Sequence, residues 1–248
     1  MVHLVDEAAI RTSPDLSWQP LYRWGGVSAW VYVALVLIPV TLVFVAPLPP
    51  AEGRAVLDYI AAHRVVYLVE LVCFVGLSIP ALVVFAALAV SLARPARGLA
   101  AIGGLFGISS EIIALAVGSS PESLHGGLVL LSDAYTSATS EAERLTLVGA
   151  ADALVAIANA MPWAGVLTAA GILVLSLAMW RGDSRRGLAV LGIVAGVLGM
   201  VSEVLRPVIG VAYLLYGLLL PVWFGWVGVV LLRVDAVRGG VGVAPVEH

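Results

Sequence analysis

Apolar residues run in long blocks along this chain, separated by short clusters of proline, glycine, arginine and acidic residues. Six blocks have about the 20 residues that cross a hydrocarbon core: residues 25–46, 65–93, 99–118, 160–180, 187–205 and 208–232. A backbone in lipid must satisfy its own hydrogen bonds, so each block predicts a helix. The alternating segments of about ten residues that would build a transmembrane β-barrel are absent. The expected fold is therefore all-α, a polytopic transmembrane helix bundle of six spans. Pro47, Pro49 and Pro50 end the first span, and Pro80 predicts a kink in the second.

The polar stretches complete the plan. Residues 1–24 read as a cytoplasmic or interfacial tail carrying Trp18 and Trp24. They are not a cleaved signal, because the first apolar block is too long and Pro47 sits where a cleavage site needs a small residue. A short polar loop with Glu52, Arg54 and Asp58 joins spans one and two. Residues 119–158 form one long polar insertion. It has a helix start at Ser120-Pro121-Glu122 and a second at Ser140-Glu141-Ala142-Glu143, the latter matching a capping box. Helix continuing from there to residue 180 would be about 40 residues or ~60 Å long. That is twice a bilayer core, so its first half belongs outside the membrane. The transmembrane domain spans residues 25–233, and 234–248 reads as a disordered tail.

Composition sharpens the class. Of 248 residues, 61% are hydrophobic and 12% charged, against roughly 25% charged in soluble domains. The net charge of −3 gives no reason to expect a nucleic-acid partner. Cys73 is the only cysteine, which excludes an internal disulfide; in an apolar run it reads as a buried, inert thiol. Every basic side chain is arginine. With six spans, Arg11, Arg23, Arg94, Arg97, Arg181, Arg185, Arg186, Arg233 and Arg238 fall on one side, and Arg54, Arg64, Arg144 and Arg206 on the other. The positive-inside rule then places both termini in the cytoplasm of a multi-pass cell-membrane protein, with the insertion facing outward.

An ionisable group at mid-membrane costs about 2.5 kcal/mol or more to insert. The spans nevertheless carry Glu70, Glu111, Glu203 and Arg206, with Asp152 and Asn159 just before span four. By the topology these lie in the outer half of the membrane, together with Tyr67, while the inner half is nearly pure Val, Leu, Ala and Gly. The pattern predicts an outward-open polar cavity. Its ligand-binding set is Glu70, Glu111, Glu203, Arg206, Tyr67 and Asn159, with Glu111 the deepest acid and Arg206 or Arg64 its charge partner. The bland alternatives are an end-of-helix ion pair for Glu203 and Arg206, and a Glu70 that reaches the interface unaided. His63 and His125 share the outer side, but no His-x-x-x-His or Glu-x-x-His spacing supports a metal site, and none is assigned. No cofactor motif is present, and the absence of any lysine excludes a retinal Schiff base. Gly192 and Gly196 form a small-xxx-small pair, suited to packing inside the bundle or to a dimer face.

Three features resemble a family of bacterial six-span membrane proteins catalogued as domain of unknown function 4386. They are Gly25-Gly26 opening span one, the acid Glu111 in span three, and the basic turn Arg185-Arg186 leading into the glycine-patterned run 187–196. The resemblance would cover about residues 20–235. It implies a six-helix bundle and brings no activity or site to carry over.

Three functions fit these residues. One is binding or transport of a small or lipid-like ligand through the outer polar cavity. The second is a membrane-embedded enzyme acting on lipids with paired carboxylates; no catalytic residue is assigned. The third is a non-catalytic subunit or assembly factor that meets a protein partner through residues 119–158.

Overall fold

In the computed structural model the described residues are 16–117, 125–160, 163–181, 186–206 and 213–239. After a 3-10 turn at Leu16–Trp18 come α1 (Gln19–Leu42), α2 (Gly53–Ala62), α3 (Arg64–Gly76), α4 (Ser78–Leu92) and α5 (Arg97–Val117). They are followed by α6 (Gly126–Ser137), α7 (Glu141–Ala160), α8 (Trp163–Trp180), α9 (Arg186–Val204) and α10 (Tyr213–Gly239). The fold is all-helical. Among the described residues, six helical stretches are long and apolar enough to cross a membrane: Gln19–Leu42, Arg64–Leu92, Arg97–Ala116, Glu141–Trp180, Arg186–Val204 and Leu215–Val234.

Burial supports that reading. At most 44% of any of these apolar windows is buried within the chain, and only 28% in the first. Water would penalise so much exposed leucine and valine heavily, whereas lipid does not.

Several boundaries differ from the sequence reading, each for a local reason. The tail expected through residue 24 is already helical from Gln19. Pro20 sits in the first turn, where its missing N–H costs nothing. The second span breaks at Leu77, between α3 and α4, and not at Pro80 itself. A proline ring disturbs the carbonyl four residues back, which is that of Gly76, the last residue of α3. The loop expected between spans one and two contains helix α2, whose Val56, Leu57 and Ile60 form a buried stripe. The terminal tail expected from residue 234 is helical to Gly239. Among its described residues the insertion holds two helices, α6 and α7, and the start at Ser140 is capped as expected: the Glu143 N–H donates to Ser140 Oγ at 3.2 Å. The other start, at residues 120–122, lies outside the described residues, as do Pro162 and Pro207.

The chain divides into two compact units. The first comprises Met1–Val33, Ile79–Ser110 and Gly165–His248; the second comprises Ala34–Ser78 and Glu111–Ala164.

Glycines bring the helices of the first unit together. A Cβ on Gly196 would stand 2.8 Å from the Ala169 carbonyl oxygen and the Leu173 amide, and one on Gly199 would meet the Tyr216 ring at 2.5 Å. Gly25 faces Ala87 and Leu231, and Gly171 faces the backbone of Gly103 and Gly107. The small-residue stripe of α9 is thus used up inside the chain. Beside it lies an aromatic cluster, with Tyr32 stacked on Phe224 at 3.8 Å and Trp223 edge-on to Phe224 at 5.2 Å.

The second unit has its own core, in which α2, α6 and α7 pack through Val56, Leu57, Ile60, Leu128, Val129, Ala151 and Val155. A cap supplied from another helix fixes the start of α2. Glu52 offers α2 no side-chain bond, and the Gly53 N–H instead donates to Asp152 Oδ1 of α7 at 2.6 Å. Only glycine fits at position 53, since a Cβ there would strike that carboxylate and the Val148 carbonyl.

These contacts predict opposite outcomes for two glycine substitutions. Gly196→Ala should destabilise the protein by about 1–3 kcal/mol through overpacking against backbone. Gly149→Ala, exposed on α7 with nothing within 4 Å of the new methyl, should stabilise by up to about 1 kcal/mol. Thermal melting of the two variants in detergent checks both.

Candidate functional site

Each unit contains a buried polar centre. In the second unit, α3 turns Tyr67, Glu70 and Cys73 inward at a spacing of three residues, one helical face, and all three are buried. Glu111, at the unit's edge on α5, is buried as well. The Tyr67 hydroxyl is tied at both ends: it accepts from the His125 N–H at 2.9 Å and donates to the His125 carbonyl at 3.2 Å. His125 in turn caps α6, its Nδ1 accepting from the Gly127 N–H at 2.9 Å.

Tyr59 of α2 joins this centre, and the sequence reading missed it. Its side chain is 8% exposed, and its hydroxyl has no hydrogen-bond partner among the described residues. Burial, and then the charge of Glu70, hold this phenol above its ordinary pKa. The signal was available in the apolar stripe of residues 56–60, which would have marked a helix and put Tyr59 beside its buried face.

In the first unit, Glu203, Arg206 and Tyr213 close a ring. Arg206 Nη2 donates to Glu203 Oε2 at 2.5 Å and to Tyr213 Oη at 3.0 Å, and the Tyr213 hydroxyl donates to Glu203 Oε1 at 2.7 Å. The guanidinium also lies 5.0 Å from the centre of the Tyr213 ring. Glu203 and Arg206 therefore do share a helix face, as their spacing predicts. Gly165 of α8 makes room for the Glu203 carboxylate, which a Cβ there would overlap. A third polar contact in this unit runs from the Thr168 hydroxyl to Ser110 Oγ at 2.9 Å.

Of the sequence-predicted set, Tyr67, Glu70 and Glu111 fall in the second unit and Glu203 and Arg206 in the first. Asn159 is exposed in the last turn of α7. Arg64, one of the two cations considered for Glu111, is engaged in a forked pair with Asp133 of α6, one arm of which is Nη2 to Oδ2 at 3.0 Å. Arg206, the other, holds Glu203 and Tyr213. Among the described residues, no three His, Cys, Asp or Glu side chains gather where they could hold a metal ion.

No family model, no curated protein and no solved structure matches this chain.

The Arg64–Asp133 pair predicts an acid sensitivity. The guanidinium's hydrogen bonds hold the Asp133 carboxyl below its ordinary value. A carboxyl lowered in the folded state stabilises fully above its unfolded pKa of about 3.9, and that contribution fades as pH falls through the lowered folded value. Both partners are half exposed, so the effect is modest. Wild type should resist hydrogen exchange in α6 better than Asp133→Asn at pH 6, and the difference should vanish as the pH falls well below 3.9.

Proposed function

We propose that this membrane-embedded chain binds, and in a transporter would pass on, a small or lipid-like molecule at the polar centre of its second unit. The observation that carries the reading is the Tyr59 hydroxyl, buried beside Glu70 with no protein partner among the described residues. Buried polar groups are nearly always satisfied, and one that the protein leaves open invites a water or a ligand atom. Tyr59 can donate to an acceptor on the ligand. Glu70 and Glu111 supply carboxylates suited to hydrogen-bond donors or a positive charge. Tyr67, anchored on His125, sets the wall.

Glu203 and Arg206 take a different part in this reading. They bond each other and Tyr213, so we assign them to joining α9 and α10, with ligand contact left to the second unit.

Molecules extracted from the purified protein and identified by mass spectrometry test this proposal. A species retained by wild type should be lost in Tyr59→Phe and Glu111→Gln, while the melting temperatures of the apo-proteins stay within a few degrees of wild type. Equal retention by all three proteins would sink the reading. The burial of Glu70 and Glu111 in one unit also suits a lipid-modifying enzyme that uses them as acid and base. Incubation with labelled membrane lipids separates the two, since only the enzyme yields a new product that disappears in Glu111→Gln.

The same proposal sets the second unit on the outer side, because the arginine excess lies at the other ends of the spans. With the sole cysteine replaced as Cys73→Ser, Leu130→Cys should react with an impermeant maleimide on intact cells. Arg97→Cys should react only after permeabilisation. The reverse pattern would invert the topology.

A further inference from the structure

The first unit has a cleft of about 450 Å³ at the start of α1, lined by Gln19, Pro20, Arg23, Trp24 and Val27. These residues recur every three or four positions, so they form one face of the first two to three turns. Arg23 is exposed and makes no ion pair or hydrogen bond among the described residues. A second cation with no ion pair among the described residues lies at the same level. Gly25 and Gly26 pack on Leu231 and Leu232 of α10, and the next residue there is Arg233, also exposed. Flanking this level are indoles that the protein leaves uncovered: Trp18 is 47% and Trp24 63% exposed. Such rings settle at the headgroup layer. Deeper along α1, Val27 and Val31 are exposed and apolar.

We propose that this cleft is a binding site for an anionic membrane phospholipid. The phosphodiester would meet the Arg23 guanidinium, which can hold two phosphate oxygens at once. Trp24 flanks the glycerol region, and an acyl chain follows Val27 and Val31 into the bilayer. Cation above, indole beside and aliphatic below is the polarity sequence of a lipid from headgroup to tail. A free anion would use only the first of these, and a protein partner would meet a surface already facing membrane.

The test uses full-length protein in detergent, with bound lipid counted by native mass spectrometry from equimolar phosphatidylglycerol and phosphatidylcholine. Wild type should retain phosphatidylglycerol preferentially. Arg23→Gln should cut that preference about fivefold, the effect of one cation at an anionic surface, with an unchanged melting temperature in the absence of lipid. Arg97→Gln, an arginine outside the cleft, should leave it nearly intact. Equal losses in the two variants would assign the preference to general surface charge and overturn the site. So would equal binding of the two lipids by wild type, or displacement of phosphatidylglycerol by millimolar inorganic phosphate.

Discussion

A peptide group in hydrocarbon has no water to bond to, and an unmet N–H or C=O there costs several kcal/mol. That constraint selects helix for every crossing segment of this chain. It also governs how the segments may end. Where α3 meets Pro80 the break is a single residue, and the Leu77 N–H still reaches the Cys73 carbonyl at 2.9 Å. The proline interrupts the ladder and leaves few backbone groups open.

Side chains obey the same rule less strictly, and among the described residues many of the polar groups are paired across the fold. Tyr67 spends its hydroxyl on both backbone groups of His125, which ties α3 to the start of α6. Asp152 reaches from α7 to cap α2, and the Ser132 hydroxyl bonds the Leu57 carbonyl at 2.8 Å. The packing of α2, α6 and α7 is thus pinned at two points by hydrogen bonds between segments distant in the chain, and α3 is tied to α6 at a third. Glu203, Arg206 and Tyr213 do the equivalent for α9 and α10. Against this pairing, the Tyr59 hydroxyl is left open among the described residues, as are Ser176 Oγ and the Trp223 indole N–H in the first unit; Tyr59 is the one of the three that lies within the charge of a buried carboxylate, Glu70.

The six crossings could be read from the sequence because burial in lipid demands about 20 apolar residues in a row, and such runs need no knowledge of tertiary contacts. Local signals were equally readable: the cap at Ser140, the disturbance by Pro80, and the shared face of Glu203 and Arg206. Helix α2 is hard to see in the sequence because Glu52, Arg54 and Asp58 give the segment the polarity of a loop and mask the stripe Val56, Leu57 and Ile60. The partners of the polar residues were not readable. Nothing local tells that Arg64 will find Asp133, 69 residues away, or that Tyr213 will complete the ring on Glu203. Choice among distant partners is settled by packing, and packing of helices in a membrane turns on glycines whose facing residues the sequence does not name.

The exclusive use of arginine gives these choices a common basis. A guanidinium is a planar fork that engages two acceptors at fixed angles, whereas an ammonium is a point charge. Arg64 uses the fork to take both oxygens of Asp133. Arg206 serves Glu203 and Tyr213 together and still lies against the Tyr213 ring, which a compact ammonium could not match. Each of these cations is engaged by the chain itself, because a carboxylate stands within reach. Arg23, Arg97 and Arg233 have no such acid among the described residues, so their forks remain open to whatever anions border the protein. The difference between the two sets lies in what surrounds them and not in the residue: where the chain supplies the anion, arginine holds helices together, and where it does not, the same side chain is left to the membrane surface.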